Sequence, residues 1–287
     1  MTDSPTRPEF VYKYRTFDKK HLRMLSHDEI YFASRSQFND PLDCAIPFTI
    51  YDAPTPKKLR EYGLLLYEEY KNDHKALGKT KTEIVSALVA RRPHTRKEQL
   101  EYEIGVTQEH AEKFGIFCTA SDNSEAGVAG YQNNLMWAHY AESHTGFCVC
   151  LNVERLLAPL ISAGKEPFFD PVSYPKEYPI FSPYKKDGSV ARMTDQEARQ
   201  SLTIKSSDWS YECEYRWLRQ IKHGKTGRGV ERIPPDVIDS VYLGLSVSDA
   251  NLQEVKQILS GRGKRVKLYR AFRKDKSFGL DFIEEHY

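Results

Sequence analysis

Along the chain, short runs of aromatic and β-favouring residues alternate with stretches of helical spacing and with turn-forming clusters. "EFVYKYRTF" opens as a strand, and "DKKHLRMLSHDE" follows as a helix capped at Asp18, with Leu22, Met24 and Leu25 on its apolar side. "IYFASRSQFNDPLDC" returns to strand and breaks at Asn39, Asp40 and Pro41, where Asx side chains serve a tight turn. From Pro54 to about Lys113 the sequence becomes long, charged and helix-favouring, which predicts a helical insertion packed against a sheet.

Beyond it, "FGIFCTAS" predicts a strand, "NLMWAHYAES" a short helix and "GFCVCLNV" another strand, followed by a loop through "FDPVSYPKEYPIFSPY". A helix around "DQEARQSLTIK" precedes "WSYECEYRWLR", which reads as a strand with Glu212, Glu214 and Arg216 on one face and Tyr211, Cys213, Tyr215 and Trp217 on the other. "HGKTGRG" reads as a hairpin loop after it. "VIDSVYLGLSV", the helix "SDANLQEVKQILSG", and the strands "RVKLYRAFR" and "FGLDFIEEH" complete the chain. Strands and helices mix without regular βαβ alternation, so the expected class is α+β, in a single domain over residues 1–287 with the insertion at about 54–113.

Composition narrows this only a little. At 287 residues, 40% hydrophobic and 29% charged, the chain is that of a globular protein, and a net charge of +2 gives little pull toward nucleic acid. No run approaches the roughly 20 apolar residues that cross a bilayer and no apolar leader opens the chain, so the cytoplasm is the expected location, without a membrane partner. The five cysteines lack Cys-x-x-Cys spacing, sit mostly in apolar runs and are expected as reduced thiols, with no structural metal.

Candidate chemistry gathers at Tyr12, Tyr14 and Arg15; at Ser34, Asn39, Asp40 and Asp43; at His139, Tyr140 and His144 beside Trp137; and at Glu212, Glu214 and Arg216. There is no phosphate loop, dinucleotide fingerprint, His-Glu-x-x-His motif or nucleophile elbow.

The blocks "YKYRTFDKKHLRMLSHDEIYFASRSQFNDPLDC", "FGIFCTASDN", "LMWAHYAESHTGFCVCL" and "DWSYECEYRWL" resemble, in order, those of the bacterial family called domain of unknown function 2971. A more distant resemblance, carried by a strand ending in Arg15, a later strand with Ser34 and the late Glu-x-Glu, is to the ADP-ribosyltransferases, mixed α/β proteins that bind NAD in a cleft between two small sheets. That resemblance implies an ADP-ribosyltransferase-like core and an enzyme that consumes NAD without a metal, with Glu214 gripping a ribose hydroxyl and Glu212 taking the proton of a nucleophile.

It also implies that Arg15 holds the phosphates or the adenosine ribose, facing the two glutamates across a cleft, and that Tyr12, Tyr14, Tyr31 or Phe38 stacks on a ring. Ser34, Asn39, His139, Tyr140 and Arg216 complete the NAD-facing set. Ser121 competes with Ser34 for the serine position, and Arg216 alternatively pins the glutamates in an ion pair. The implied partners are NAD, a protein or nucleic-acid acceptor and an inhibitory protein, in an intracellular toxin or phage-defence effector. Two other functions remain open: a metal-dependent hydrolase or nuclease using Asp40, Asp43, His139, Glu212 and Glu214, and a module that binds a nucleotide or protein without turnover.

Overall fold

A computed structural model describes residues 7–44, 55–69, 78–90, 111–177, 200–220 and 227–287. They fall into two compact units, the first made of residues 1–37, 113–174 and 207–287 and the second of residues 38–112 and 175–206. The class is α+β.

The first unit begins with β1 (Phe10–Arg15), α1 (Lys19–Ser26) and β2 (Glu29–Phe32). Asp18 caps α1 by accepting from the Lys20 amide at 2.6 Å, and Leu22, Met24 and Leu25 turn inward. The second unit contributes α2 (Pro56–Glu69) and α3 (Lys81–Ala90). Back in the first unit follow β3 (Phe114–Ala120), α4 (Asn134–Tyr140), β4 (Phe147–Asn152), α5 (Val153–Ser162) and β5 (Phe168–Pro171). The unit closes with β6 (Glu214–Gln220), β7 (Gly229–Arg232), β8 (Ile238–Leu243), α6 (Asp249–Ser260), β9 (Lys267–Arg273) and β10 (Leu280–Glu285).

Eight strands form one sheet in the order β10-β9-β8-β4-β1-β3-β6-β5. All neighbours run antiparallel except β8 and β9, which α6 connects as a parallel crossover. The ladder is uneven. β1 pairs with β4 at six positions, from Phe10 opposite Asn152 to Arg15 opposite Phe147, but meets β3 only at Tyr12 opposite Ala120. The sheet is therefore two ladders, of five and three strands, joined at one residue pair.

Where β1 leaves β3, other groups satisfy the backbone of β3. Ala33 exchanges hydrogen bonds with Ile116 at 2.8 and 3.0 Å, and the Lys13 ammonium donates to the Cys118 carbonyl.

One face of the sheet carries Val11, Phe117, Phe147, Val149 and Trp217 in the larger core, with residues of α1, α5 and α6. The other carries Tyr12, Tyr14, Ala120, Trp137, Cys148 and Cys150. Among the five cysteines, Cys44, Cys148 and Cys150 are buried and all are reduced.

Two local expectations need correction, and one helix was not anticipated. Glu212 is not part of the strand: Ser207–Glu212 is a 3₁₀ turn, Cys213 has a φ of 45°, and β6 starts at Glu214. The stretch after β4 is a helix, α5, because Asn152 caps it by accepting from the Arg155 amide at 3.0 Å. The loop expected after it contains β5, which pairs with β6.

β6 and β7 do not form a hairpin with one another. β7 pairs with β2 in a separate two-stranded ribbon, tied to the sheet by Arg219, whose guanidinium lies 4.1 Å from the Phe32 ring centre and donates to the Gly227 carbonyl at 2.9 Å. Residues 221–226 of the glycine-rich stretch lie outside the described residues, as do residues 195–199 of the helix expected around Asp195; Gln200, Ser201 and Leu202 are helical.

In the second unit, Leu42 donates its amide to the Asp40 side chain at 2.8 Å, the Asx turn expected there. Asp43 and Lys205 form an ion pair at 3.7 Å, both almost fully buried.

Candidate functional site

Asn133 sets the position of α4. Its side-chain oxygen accepts from the Leu135 and Met136 amides at 3.1 and 3.3 Å, while its nitrogen donates to the Tyr211 carbonyl at 2.6 Å. One residue thus starts the helix and binds it to the 207–212 turn. The helix then presents His139 and Tyr140 to that turn: His139 Nδ1 lies 2.8 Å from the Tyr211 hydroxyl, and Tyr140 donates to Glu212 Oε1 at 2.5 Å. Trp209 packs against both His139 and Tyr211 with tilted or edge-on rings.

Glu212, Glu214 and Arg216 are 3%, 5% and 0% exposed. The left-handed Cys213 between the glutamates is a costly conformation for a non-glycine residue. It is anchored through its carbonyl, which accepts from the Ser121 amide and hydroxyl, both at 2.9 Å.

Arg216 chelates Glu214: Nε reaches Oε1 at 2.8 Å and a terminal nitrogen reaches Oε2 at 3.0 Å. The Glu214 amide donates to the Tyr174 hydroxyl at 2.8 Å. Burial first, and then the Glu214 charge, push the Tyr174 phenol far above its ordinary range, and the same two causes raise the Cys118 thiol. Tyr174 thus stays a neutral phenol beside the Glu214 carboxylate.

The first strand is arranged differently from the expectation that Arg15 faces the glutamates. Tyr12 lies opposite Ala120, and Ala120 opposite Glu214, so these three share a face. Arg15 is an odd number of residues from Tyr12, lies opposite Phe147 of the larger core, and leaves the other face. Tyr12 and Tyr14 do share the glutamates' side but are built into the smaller core. Tyr14 donates to the Gly130 carbonyl and meets Trp137 edge-on, and Tyr12 packs on Gly130 and Tyr131.

The remaining candidates have the following local surroundings. Ser34 is buried and its amide donates to Gln37 Oε1 at 3.0 Å; Tyr31 is exposed on the ribbon and donates to that same oxygen at 3.0 Å. Phe38 and Asn39 belong to the second unit, the first half-buried and the second exposed. Asp40 and Asp43 also belong there, and among the described residues no group of three or more His, Cys, Asp or Glu is placed to hold a metal ion.

Tyr174 and Asn133 escaped the sequence reading. An asparagine ahead of an apolar helix is a legible cap, but its second contact depends on tertiary structure. Lys13 also escaped. Burial first and Arg15 second hold its ammonium down to about 8, while the Glu214 and Glu212 carboxylates pull the other way.

The first unit is thus an α+β protein whose sheet divides at β1 and β3 and which sets two buried carboxylates among tyrosines on one side. Residues 136–217, the stretch that carries Tyr140, Glu212, Glu214 and Arg216, match the family described as Protein of unknown function (DUF2971), which supports placing the chain in that family. No curated protein and no solved structure matches the chain. Among the described residues, no helix is long and apolar enough to cross a membrane.

Proposed function

We propose that the chain is an NAD-cleaving enzyme of the ADP-ribosyltransferase type in which Glu212 is the carboxylate that meets the ribose. The observation that carries this reading is the aromatic setting of the buried Glu212 carboxylate. It accepts from the Tyr140 phenol beside the rings of His139, Trp209 and Tyr211, while Arg216 chelates Glu214.

In the reaction, the bond between ribose C1′ and the nicotinamide nitrogen breaks with its electron pair leaving on nicotinamide. Positive charge then spreads over C1′ and the ring oxygen. A buried carboxylate stabilises that charge strongly because little water screens it. As the acceptor attacks C1′, the proton it loses passes to Glu212. Glu214 serves as a positioning residue, its charge balanced by Arg216. The division of the sheet at β1 and β3 also supports the reading, since the resembling enzymes bind NAD between two small sheets.

A binding module without turnover is the second reading, and the chelation of Glu214 favours it. Nicotinamide release from NAD, with protein and nucleic-acid fractions of a lysate as acceptors, separates the two. Release by the wild type that falls at least a hundredfold in Glu212→Gln, with unchanged circular dichroism, supports the enzyme. Absence of release with every acceptor fraction, or equal release by that variant, overturns it.

A further inference from the structure

Charge is unevenly placed along the chain. Residues 262–276 carry eight Lys or Arg and one acid, Asp275, whereas the whole chain nets only +2. The rest of the molecule is therefore net negative. The basic stretch runs from the end of α6 through β9 into the turn before β10, which is an edge strand of the sheet.

Alternation sorts β9. Ala271 lies in the smaller core, so Lys267, Tyr269 and Arg273 share its side of the sheet, with Phe282 opposite Ala271 on β10. On that side Tyr131, Tyr242 and Tyr269 form a column of rings, with centres 4.1 and 5.1 Å apart and interplanar angles of 7° and 14°. Phe282 meets Tyr242 edge-on at 5.3 Å. Tyr242, in the middle, is buried, while Tyr131, Tyr269 and Phe282 are half-buried. Among the described residues no second ring contacts Tyr269, so the column ends there.

Cations edge the column. Lys267 and Arg273 are exposed and stand about 20 Å apart along β9, at about 3.3 Å per residue, and Lys274 follows in the turn. Among the described residues none of these three has an ion pair. Glu284, opposite Tyr269 on β10, is offset by Arg265 at 3.8 Å.

We propose that this end of the sheet, with Tyr269 and Phe282 between Lys267 and Arg273, binds single-stranded nucleic acid. A base continues the tyrosine column at Tyr269, and the cations meet the phosphates. A duplex keeps the faces of its bases inside its own stack, and an acidic peptide has charge but no ring to offer, so a single strand satisfies both halves of the surface. The spacing of the cations suits several nucleotides joined together.

The surface lies near the carboxylates. Asn134, in the first turn of α4, donates to the carbonyl of Phe278, whose ring is 99% exposed at the tip of the β9–β10 turn. Tyr140, which donates to Glu212, is six residues further on, about 9 Å along the helix axis. A strand passing the tip is placed as the acceptor of the proposed reaction. That role rests on the NAD reading; the binding does not.

Fluorescence anisotropy of the full chain with a labelled single strand of about 20 nucleotides, once as RNA and once as DNA, tests the binding, with the matching duplex and poly-glutamate as competitors. The expected result is saturable binding of at least one strand, the two arms showing which sugar is preferred. Binding weakens at least tenfold in Tyr269→Leu with its salt dependence unchanged. In the joint variant Lys267→Gln with Arg273→Gln it weakens as much, and the slope of log K against log salt falls by about 0.7 for each cation removed.

No binding of either strand by the wild type at tens of micromolar protein overturns the proposal. Displacement by the duplex or by poly-glutamate as effective as by unlabelled single strand also overturns it, as does undiminished binding by these variants. Because the first criterion uses the wild type, a variant that fails to fold leaves the test intact. Nicotinamide release without strand binding counts against this surface alone, and strand binding without release counts against the NAD reading alone.

Discussion

Arg216 and Glu214 stand two residues apart on one strand and close a two-pronged ion pair, at 2.8 and 3.0 Å, in a place that water barely reaches. Removing one member strands the other charge. Arg216→Met is therefore expected to cost about 3–5 kcal/mol, and the joint replacement Glu214→Leu with Arg216→Met far less, since both charges then leave together. Urea unfolding at neutral pH measures both. A double variant as unstable as the single one contradicts the account.

Tyr140 presents one hydroxyl to Glu212, and Tyr140→Phe deletes that oxygen alone. A hydrogen bond to a charged group is worth about 1.5–3 kcal/mol, so nicotinamide release is expected to fall by about tenfold or more while the fold persists. Unaltered turnover in this variant, at saturating NAD, would show that Glu212 needs no phenol to hold it.

Lys13 makes a prediction of opposite sign. Its folded value of about 8 lies below the unfolded value near 10.5, so between those limits the unfolded chain carries a proton that the fold lacks, and this residue's contribution rises with pH there. Below about 8 the buried ammonium is a steady burden. Lys13→Met should therefore be more stable than the wild type by about 1–2 kcal/mol at pH 7, a margin that shrinks by pH 9.5. Denaturant midpoints at the two pH values provide the check, and a destabilised variant at pH 7 would reverse the sign.

Gly115 and Gly127 differ in what a methyl group meets. At Gly115 an added Cβ lands 2.0 Å from the Gly227 carbonyl oxygen, backbone against backbone, so Gly115→Ala must push the ribbon away from the sheet and is expected to cost about 3 kcal/mol or more. At Gly127 nothing lies within 4 Å, and only the φ of +61° resists substitution, for about 1 kcal/mol. Melting temperatures of the two variants should rank accordingly.

Much of the fold was legible in the sequence because the signals were local. The Asp18 cap, the apolar run of β3 and the short helix before β4 emerge close to where their residues predict them. Glu212 misled because alternation was extended through Cys213, and a cysteine gives no warning of a left-handed backbone. α5 was missed although Asn152 is a sound cap, since the helix starts on the residue after the strand ends.

In the site, the joint burial of Glu212, Glu214 and Arg216 follows from one segment. The side of the sheet that Arg15 faces follows from a pairing between strands distant in sequence, which composition and spacing do not encode.

A sheet whose halves share a single rung is mechanically weak along one line. Separating β1 from β4 means undoing six paired positions, whereas separating β1 from β3 means undoing one. Among the described strands of this sheet, the seam that runs past Lys13 carries the fewest ladder pairs and depends most on side chains, the Lys13 ammonium bonded to the Cys118 carbonyl among them.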